Sequence, residues 1–249
     1  PWLSPTVLWT ASNSDFKRGY QKLKQVDYEG ISWVSEDIFQ DDVLQFMKLS
    51  NMWSQYCMFL TDDDIVYREP DCTYGELVEM LSLNASVGTF SNRLGHNTYV
   101  QNPHNRNEQV IWPQTAMIDQ SFTYWDWTRV PGHTNFGYPM SVDGNVFRIK
   151  QLLPLVQELE FTQPNEFEGR LVGLAHKLPK SMACCETSCV VGLPVNRVQD
   201  VCQNRAGEEH GISASELNQR FLDGERIKLD KMDFSNVVGA HQEIELVLG

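Results

Sequence analysis

The stretch CMFLTDDDIVYREP, residues 57–70, drives a run of bulky apolar side chains straight into Asp62, Asp63 and Asp64. Such a run bounded by polar residues reads as the end of a buried strand. Three like charges gathered at one point repel each other and raise the energy of the folded state unless something positive joins them. A divalent cation is the candidate. An aspartate pair after a strand can also cap the next helix or solvate a turn, so the neighbouring sequence has to decide.

Upstream, TVLWT (6–10) is a short apolar run, and after the polar ASNSD come Phe16, Tyr20 and Leu23, spaced as on one helical face. GISWV (30–34) predicts a second strand, DDVLQFMKLSN (41–51) a helix, and YCMFL (56–60) a third strand ending at the aspartates. In CTYGELVEML, Thr73 and Glu76 have capping-box spacing ahead of Leu77 and Leu81, so another helix follows. Strands alternating with helices imply right-handed βαβ units: an α/β fold with a mostly parallel central sheet flanked by helices, binding ligands at its carboxyl edge. The aspartates fall on that edge.

Beyond residue 90 the pattern changes. Residues 91–139 are rich in Asn, Pro, Gly and aromatics, and read as loops and short strands. Trp112, Trp125 and Trp127 lie there, suited either to core packing or to lining a ligand groove. SVDGNVFRI (141–149) predicts a strand interrupted by Gly144, followed by a helix with Pro154 in its first turn. Ser213 and Glu216 cap a later helix that stops at Gly224, and His241 precedes an alternating, strand-like run. The expectation is a single domain over 1–249, with a regular βαβ half (1–90) and a less regular half (91–249).

Composition limits the partners. A formal charge of −13 with no Lys/Arg block disfavours a nucleic-acid backbone. No apolar run approaches a membrane span, and PWLSPTVLWT lacks the basic flank and long apolar stretch of a signal peptide. Six cysteines show neither the paired C-x-x-C of a zinc site nor the density of a small disulfide scaffold. They read as reduced thiols, so the expected location is cytoplasmic.

The aspartate triplet after the third strand of a βαβ series, followed by a less regular half, resembles the GT-A fold of nucleotide-sugar-dependent glycosyltransferases. GYPMSVDGNVFRIKQLL and LEFTQPNEFEGRLVGL resemble the second half of such enzymes, and PVNRVQ (194–199) and NRAG (204–207) resemble segments of a microbial, polysaccharide-type group. This resemblance implies Mn²⁺ or Mg²⁺ held against the donor diphosphate by Asp62 and Asp64, with His241 as a late ligand and Asp63 orienting the donor. Thr10, Ser12 and Asp37 would hold base and ribose. Glu168, with Glu166 second, would be the general base of an inverting enzyme. Asp143 is the competing base, or a grip on sugar hydroxyls. EFEG stands where the family carries a Glu-Asp pair. The implied activity moves a sugar from a nucleoside-diphosphate donor, expected to be UDP-linked, to a hydroxyl of a saccharide or glycoconjugate. Inversion and retention stay open.

Two other classes compete. A nucleotidyltransferase making activated sugars should show a Gly-rich, basic phosphate loop, which TASNSDFKRG matches poorly. A non-enzymatic Ca²⁺-dependent sugar-binding module would explain the triplet but not the βαβ alternation.

Overall fold

A computed structural model describes residues 5–26, 30–101, 112–114, 116–119, 121–195 and 207–249. In chain order its regular elements begin with β1 (Thr6–Trp9), α1 (Ser14–Leu23), β2 (Ser32–Ser35), α2 (Phe39–Ser50), β3 (Tyr56–Met58) and β4 (Asp64–Val66). There follow α3 (Tyr74–Leu83), β5 (Val87–Ser91), β6 (Met117–Asp119), β7 (Phe122–Asp126), β8 (Asn145–Arg148) and α4 (Ile149–Val156). The last are α5 (Pro164–Gly173), β9 (Ser181–Cys185), β10 (Val190–Gly192) and α6 (Ala214–Asp223). No helix among the described residues is long and apolar enough to cross a membrane.

The chain divides into two compact units, the first drawn from Pro1–Asp42, Pro194–Asp233 and Glu243–Gly249, the second from Val43–Leu193 and Phe234–Gln242. In the first, β1 and β2 pair in parallel, Trp9 opposite Ser35. Asn13 caps α1 by accepting the N–H groups of Asp15 and Phe16. Helix α6 starts at its Ser213 cap and ends at Gly224, whose φ of 112° is a left-handed terminus that glycine adopts without strain. Lys22 of α1 donates to the carbonyl of Leu222 at 2.6 Å, where the C-terminal end of α6 attracts a cation.

The second unit is built on a six-stranded sheet of order β3-β8-β5-β9-β7-β6. Its only parallel pair is β5 with β9; the other four are antiparallel. The α/β class holds, but the central sheet is mixed instead of mostly parallel. The reason lies in β8. Both β3 and β5 run antiparallel to it, so they are parallel to each other, as a β-α-β path requires, but a strand from the chain's irregular half separates them. Periodicity reveals that a strand exists and not which neighbour it takes.

Local corrections follow. β3 stops at Met58, so the aspartates do not end it; they occupy a turn from which Asp64 starts β4, paired antiparallel with β10. Pro154 is the sixth residue of α4, two from its end, and not in its first turn. Beyond His241 the backbone forms only isolated bridges, Gly192 with His241 and Ile227 with Leu248. Thr73 and Glu76 do form the capping box.

The core of the second unit lies on both faces of the sheet, with alternate residues of β9 entering its two clusters, and every residue of β5 is buried. Phe90, Met80, Leu81, Val87, Val146 and Ala183 form one cluster; Trp125, Phe136, Leu94 and Met182 form another. Trp125 is 2% exposed and donates its indole N–H to the carbonyl of Phe136, so it packs the core. Trp112 sits edge-on against Phe136 and His96, and Trp127 bonds the Pro179 carbonyl. Phe90, buried between strands, should lose about 3–5 kcal/mol of stability on Phe90→Ala, read as a fall in the urea unfolding midpoint.

Candidate functional site

The acidic turn closes through the Asp64 N–H and the Thr61 carbonyl, at 3.2 Å. The Thr61 N–H donates to Asp64 Oδ2 at 2.8 Å. Thr61 Oγ1 lies 2.8 Å from Asp63 Oδ1, 3.1 Å from Asp64 Oδ2 and 3.5 Å from Asp143 Oδ1. A hydroxyl has one hydrogen to give, so three carboxylates share a donor that satisfies one of them. Asp64 Oδ1 is buried without a hydrogen-bond partner.

Asp143 reaches this point because Gly144, at φ 80°, turns the chain there and donates its N–H to the Phe59 carbonyl at 2.8 Å, tying the loop to the segment before the triplet. Ser141 Oγ donates to Asp143 Oδ2 at 3.1 Å. Arg93, just past β5 and 3% exposed, approaches the same oxygen at 3.5 Å. Its guanidinium also lies 2.8 Å from His241 Nε2, which stands 3.4 Å from Asp143 Oδ2. His241 is held by the pairing of Gly192 with Ala240 and Gln242. A Cβ on Gly192 would fall 2.6 Å from the ring's Nδ1, so the absence of a side chain at 192 makes room for the imidazole. Glu168 of α5 is half-buried and accepts the Val142 N–H at 3.2 Å, one residue from Asp143.

The charges are unevenly balanced. Burial, then the charge of Asp143, pushes the Asp64 carboxyl up to about 7. Asp63 is solvent-exposed as a residue, yet crowding by protein raises its carboxyl, with Asp62 and Asp143 adding to the effect and Thr61 opposing it. Burial also acts to raise Asp143, but the hydrogen bond and charge of His241, with Arg93 and Ser141, outweigh it and hold the group down at about 2. Desolvation lowers His241, although its side chain is 44% exposed; Asp143 outweighs that and leaves the imidazole raised. Burial raises Glu168, the Asp143 charge adds to this, and Arg93 opposes it.

The second unit thus gathers Asp63, Asp64, Asp143 and His241, with Glu168 alongside. Asp62 adjoins them on the exposed side of the turn. Glu168 lies in the second turn of α5, where burial is the main influence that raises its carboxyl. Glu166 holds the first turn, and its carboxylate is occupied by Thr162 and Arg170, which makes it a poor base. His241 Nε2 faces Arg93 and Asp143, and a metal-ligand role would require it to leave both. Thr10, Ser12 and Asp37 belong to the first unit, exposed, just past the carboxyl ends of β1 and β2. Most of PVNRVQ and NRAG, 196–206, lies outside the described residues, as does Cys202.

Sequence reasoning missed Arg93, Thr61 and Ser141. An arginine two residues beyond an all-buried strand was the available signal for the first, since a guanidinium there needs an acidic partner.

Carboxylate oxygens suit a hard divalent cation: Asp64 Oδ1 is buried without a partner, and the Asp63 and Asp64 carboxyls are raised by burial first and by neighbouring carboxylates second. Among the described residues, however, no group of three or more His, Cys, Asp or Glu has an arrangement that could hold a metal ion.

Compared with protein-family models, curated proteins and solved structures, the chain matches none.

The raised carboxyls carry a linkage consequence. A folded-state value of about 7 for Asp64, against an ordinary 3.8, means that its favourable contribution is complete below about pH 4 and is lost as pH rises through 7. Asp143, held at about 2, acts oppositely: its contribution is present above about pH 4 and lost as pH falls through 2. The urea midpoint should therefore fall between pH 5 and pH 8, and Asp64→Asn should flatten that slope. An equal slope in the variant would remove Asp64 from the account.

Proposed function

We propose that this chain is a metal-dependent glycosyltransferase, moving a sugar from a nucleoside-diphosphate donor, UDP-linked in the first instance, to a hydroxyl of a saccharide or glycoconjugate. The observation that carries it is the convergence of Asp63, Asp64, Asp143, His241 and Glu168, acids in excess of the Arg93 cation, from segments far apart in sequence. Such a cluster favours binding of a cation and, with it, an anionic diphosphate that an acidic protein would otherwise repel.

Asp62 and Asp64 would hold Mn²⁺ or Mg²⁺, which when bound would neutralise the donor diphosphate and the charge that builds on it as the sugar departs. Asp63 orients the donor. Thr10, Ser12 and Asp37 offer hydroxyl and carboxylate acceptors for base and ribose.

The two candidate bases separate by environment. Glu168, raised by burial, has a basicity closer to neutral pH and suits removal of a proton from the acceptor hydroxyl in an inverting reaction. Asp143, depressed to about 2 and held by Arg93, His241 and Ser141, is a weak base but a fixed acceptor for a sugar hydroxyl. The single-domain division into a donor half and an acceptor half remains part of this proposal.

A donor screen tests the function: a panel of nucleotide sugars, scored for hydrolysis and for thermal protection with and without Mn²⁺. One donor or donor class should stand out in Mn²⁺ alone. Protection by free sugar and Ca²⁺, with no response to any nucleotide, would favour a sugar-binding module instead.

A further inference from the structure

The second unit holds a pair of thiols that the proposed chemistry does not use. Cys72, just before the capping box of α3, and Cys185, the last residue of β9, lie in the same apolar cluster, 7% and 4% exposed. Their sulfurs are 3.1 Å apart, although 113 residues separate them in sequence. A disulfide needs about 2.05 Å, so closure asks for roughly 1 Å of sulfur movement.

The two segments are already joined next to the sulfurs, once through a side chain and once through the backbone. Asp71 accepts the Thr187 N–H at 2.9 Å, and the Tyr67 N–H reaches the Cys189 carbonyl at 3.0 Å. The segment between β4 and α3 is therefore laced to the turn between β9 and β10 immediately beside the two sulfurs, which keeps the pair together. The other thiols of the second unit are differently placed: Cys57 lies in β3, Cys184 is fully buried in the neighbouring cluster, and Cys189 points to Asn92.

We infer that Cys72 and Cys185 form an oxidative modification site, closing to a disulfide when the native protein meets a hydroperoxide. The inference does not depend on the transferase function. Cys72 is the nucleophile. The hydrogen bond from Cys185 lowers its thiol against the opposing effect of burial, and it lies on a connecting segment, whereas Cys185 lies within the sheet. The Cys72 thiolate attacks one peroxide oxygen, the O–O bond breaks, and the departing hydroxide takes up the thiol's proton, leaving a sulfenic acid and water. Cys185 then attacks that sulfur: the S–S bond forms, the S–O bond breaks, and hydroxide leaves with the second thiol proton as water. Two thiols and one hydrogen peroxide give one disulfide and two waters.

The test is peptide mapping of the full chain after brief exposure to hydrogen peroxide, with all remaining thiols alkylated under denaturing conditions. Cys72 and Cys185 should lose labelling together and appear as one linked peptide pair, two hydrogens lighter than the reduced peptides, and dithiothreitol should restore both labels. In Cys72→Ser, which changes the connecting segment and not the sheet, Cys185 should remain fully labelled. Full labelling of both in oxidised wild type, linkage of either to Cys57, Cys184, Cys189 or Cys202, or oxidation of Cys72 beyond the sulfenic acid without linkage would each overturn the inference.

Discussion

Glu168→Gln is expected to lower kcat by roughly 10²–10⁴ while leaving donor affinity nearly intact, the usual size of a lost general base. Gln keeps the shape and can still accept the Val142 N–H, so the link between α5 and the loop bearing Asp143 survives. What is lost is a carboxylate that burial has made more basic. Asp143→Asn should behave differently. Arg93 would lose its close anionic partner and His241 the charge that raises its imidazole, so sugar binding should weaken and the His241 titration, followed by NMR, should move down toward the ordinary range near 6.5. Kinetics of both variants on the screened donor decide the roles. A large fall in kcat for Asp143→Asn, with Glu168→Gln nearly silent, would make Asp143 the base. Less than about a tenfold fall in both would remove the inverting mechanism.

Asp64→Ala should abolish the dependence of nucleoside-diphosphate binding on divalent cation and leave the fold intact. Asp64 is the member of the triplet whose Oδ1 is buried without a partner and whose carboxyl stands highest, at about 7. Removing a charge that its neighbours resist should not destabilise the metal-free chain at pH 8 and should stabilise it. Urea unfolding at pH 8, set beside calorimetric titration of Mn²⁺ with UDP, measures both effects. A variant that unfolds more easily than wild type yet binds Mn²⁺–UDP normally would make Asp64 a structural residue of the turn.

Much of the local structure was legible because it depends on neighbours in sequence. The spacing of Phe16, Tyr20 and Leu23, the box of Thr73 and Glu76, and the stop at Gly224 each encode a helix or its end within a few residues. The sheet was not legible in the same way. β8 enters between β3 and β5 from far along the chain, Phe147 lying opposite both Cys57 and Thr89, and a strand's own pattern does not name its partner. The carboxylates at 62, 63 and 64 stood out because like charges beside an apolar run demand a partner, whereas Asp143 was singled out only through the family resemblance. Arg93, the cation that answers Asp143, lay in a stretch without periodicity, and only the tertiary turn at Gly144 brings the two together. His241 was visible as a residue, but its pairing with Arg93 follows from the bridge to Gly192, which no local signal announces.

The central claim is that a divalent cation and a nucleoside diphosphate bind together at the aspartate turn. Calorimetric titration of UDP into the wild-type chain, once in Mn²⁺ and once in chelator, tests it most directly. Binding in Mn²⁺ should weaken by at least about tenfold in chelator, because the clustered acids outnumber Arg93 and His241 and the diphosphate adds further negative charge. Equal affinity in chelator, or no binding in either condition, would contradict it.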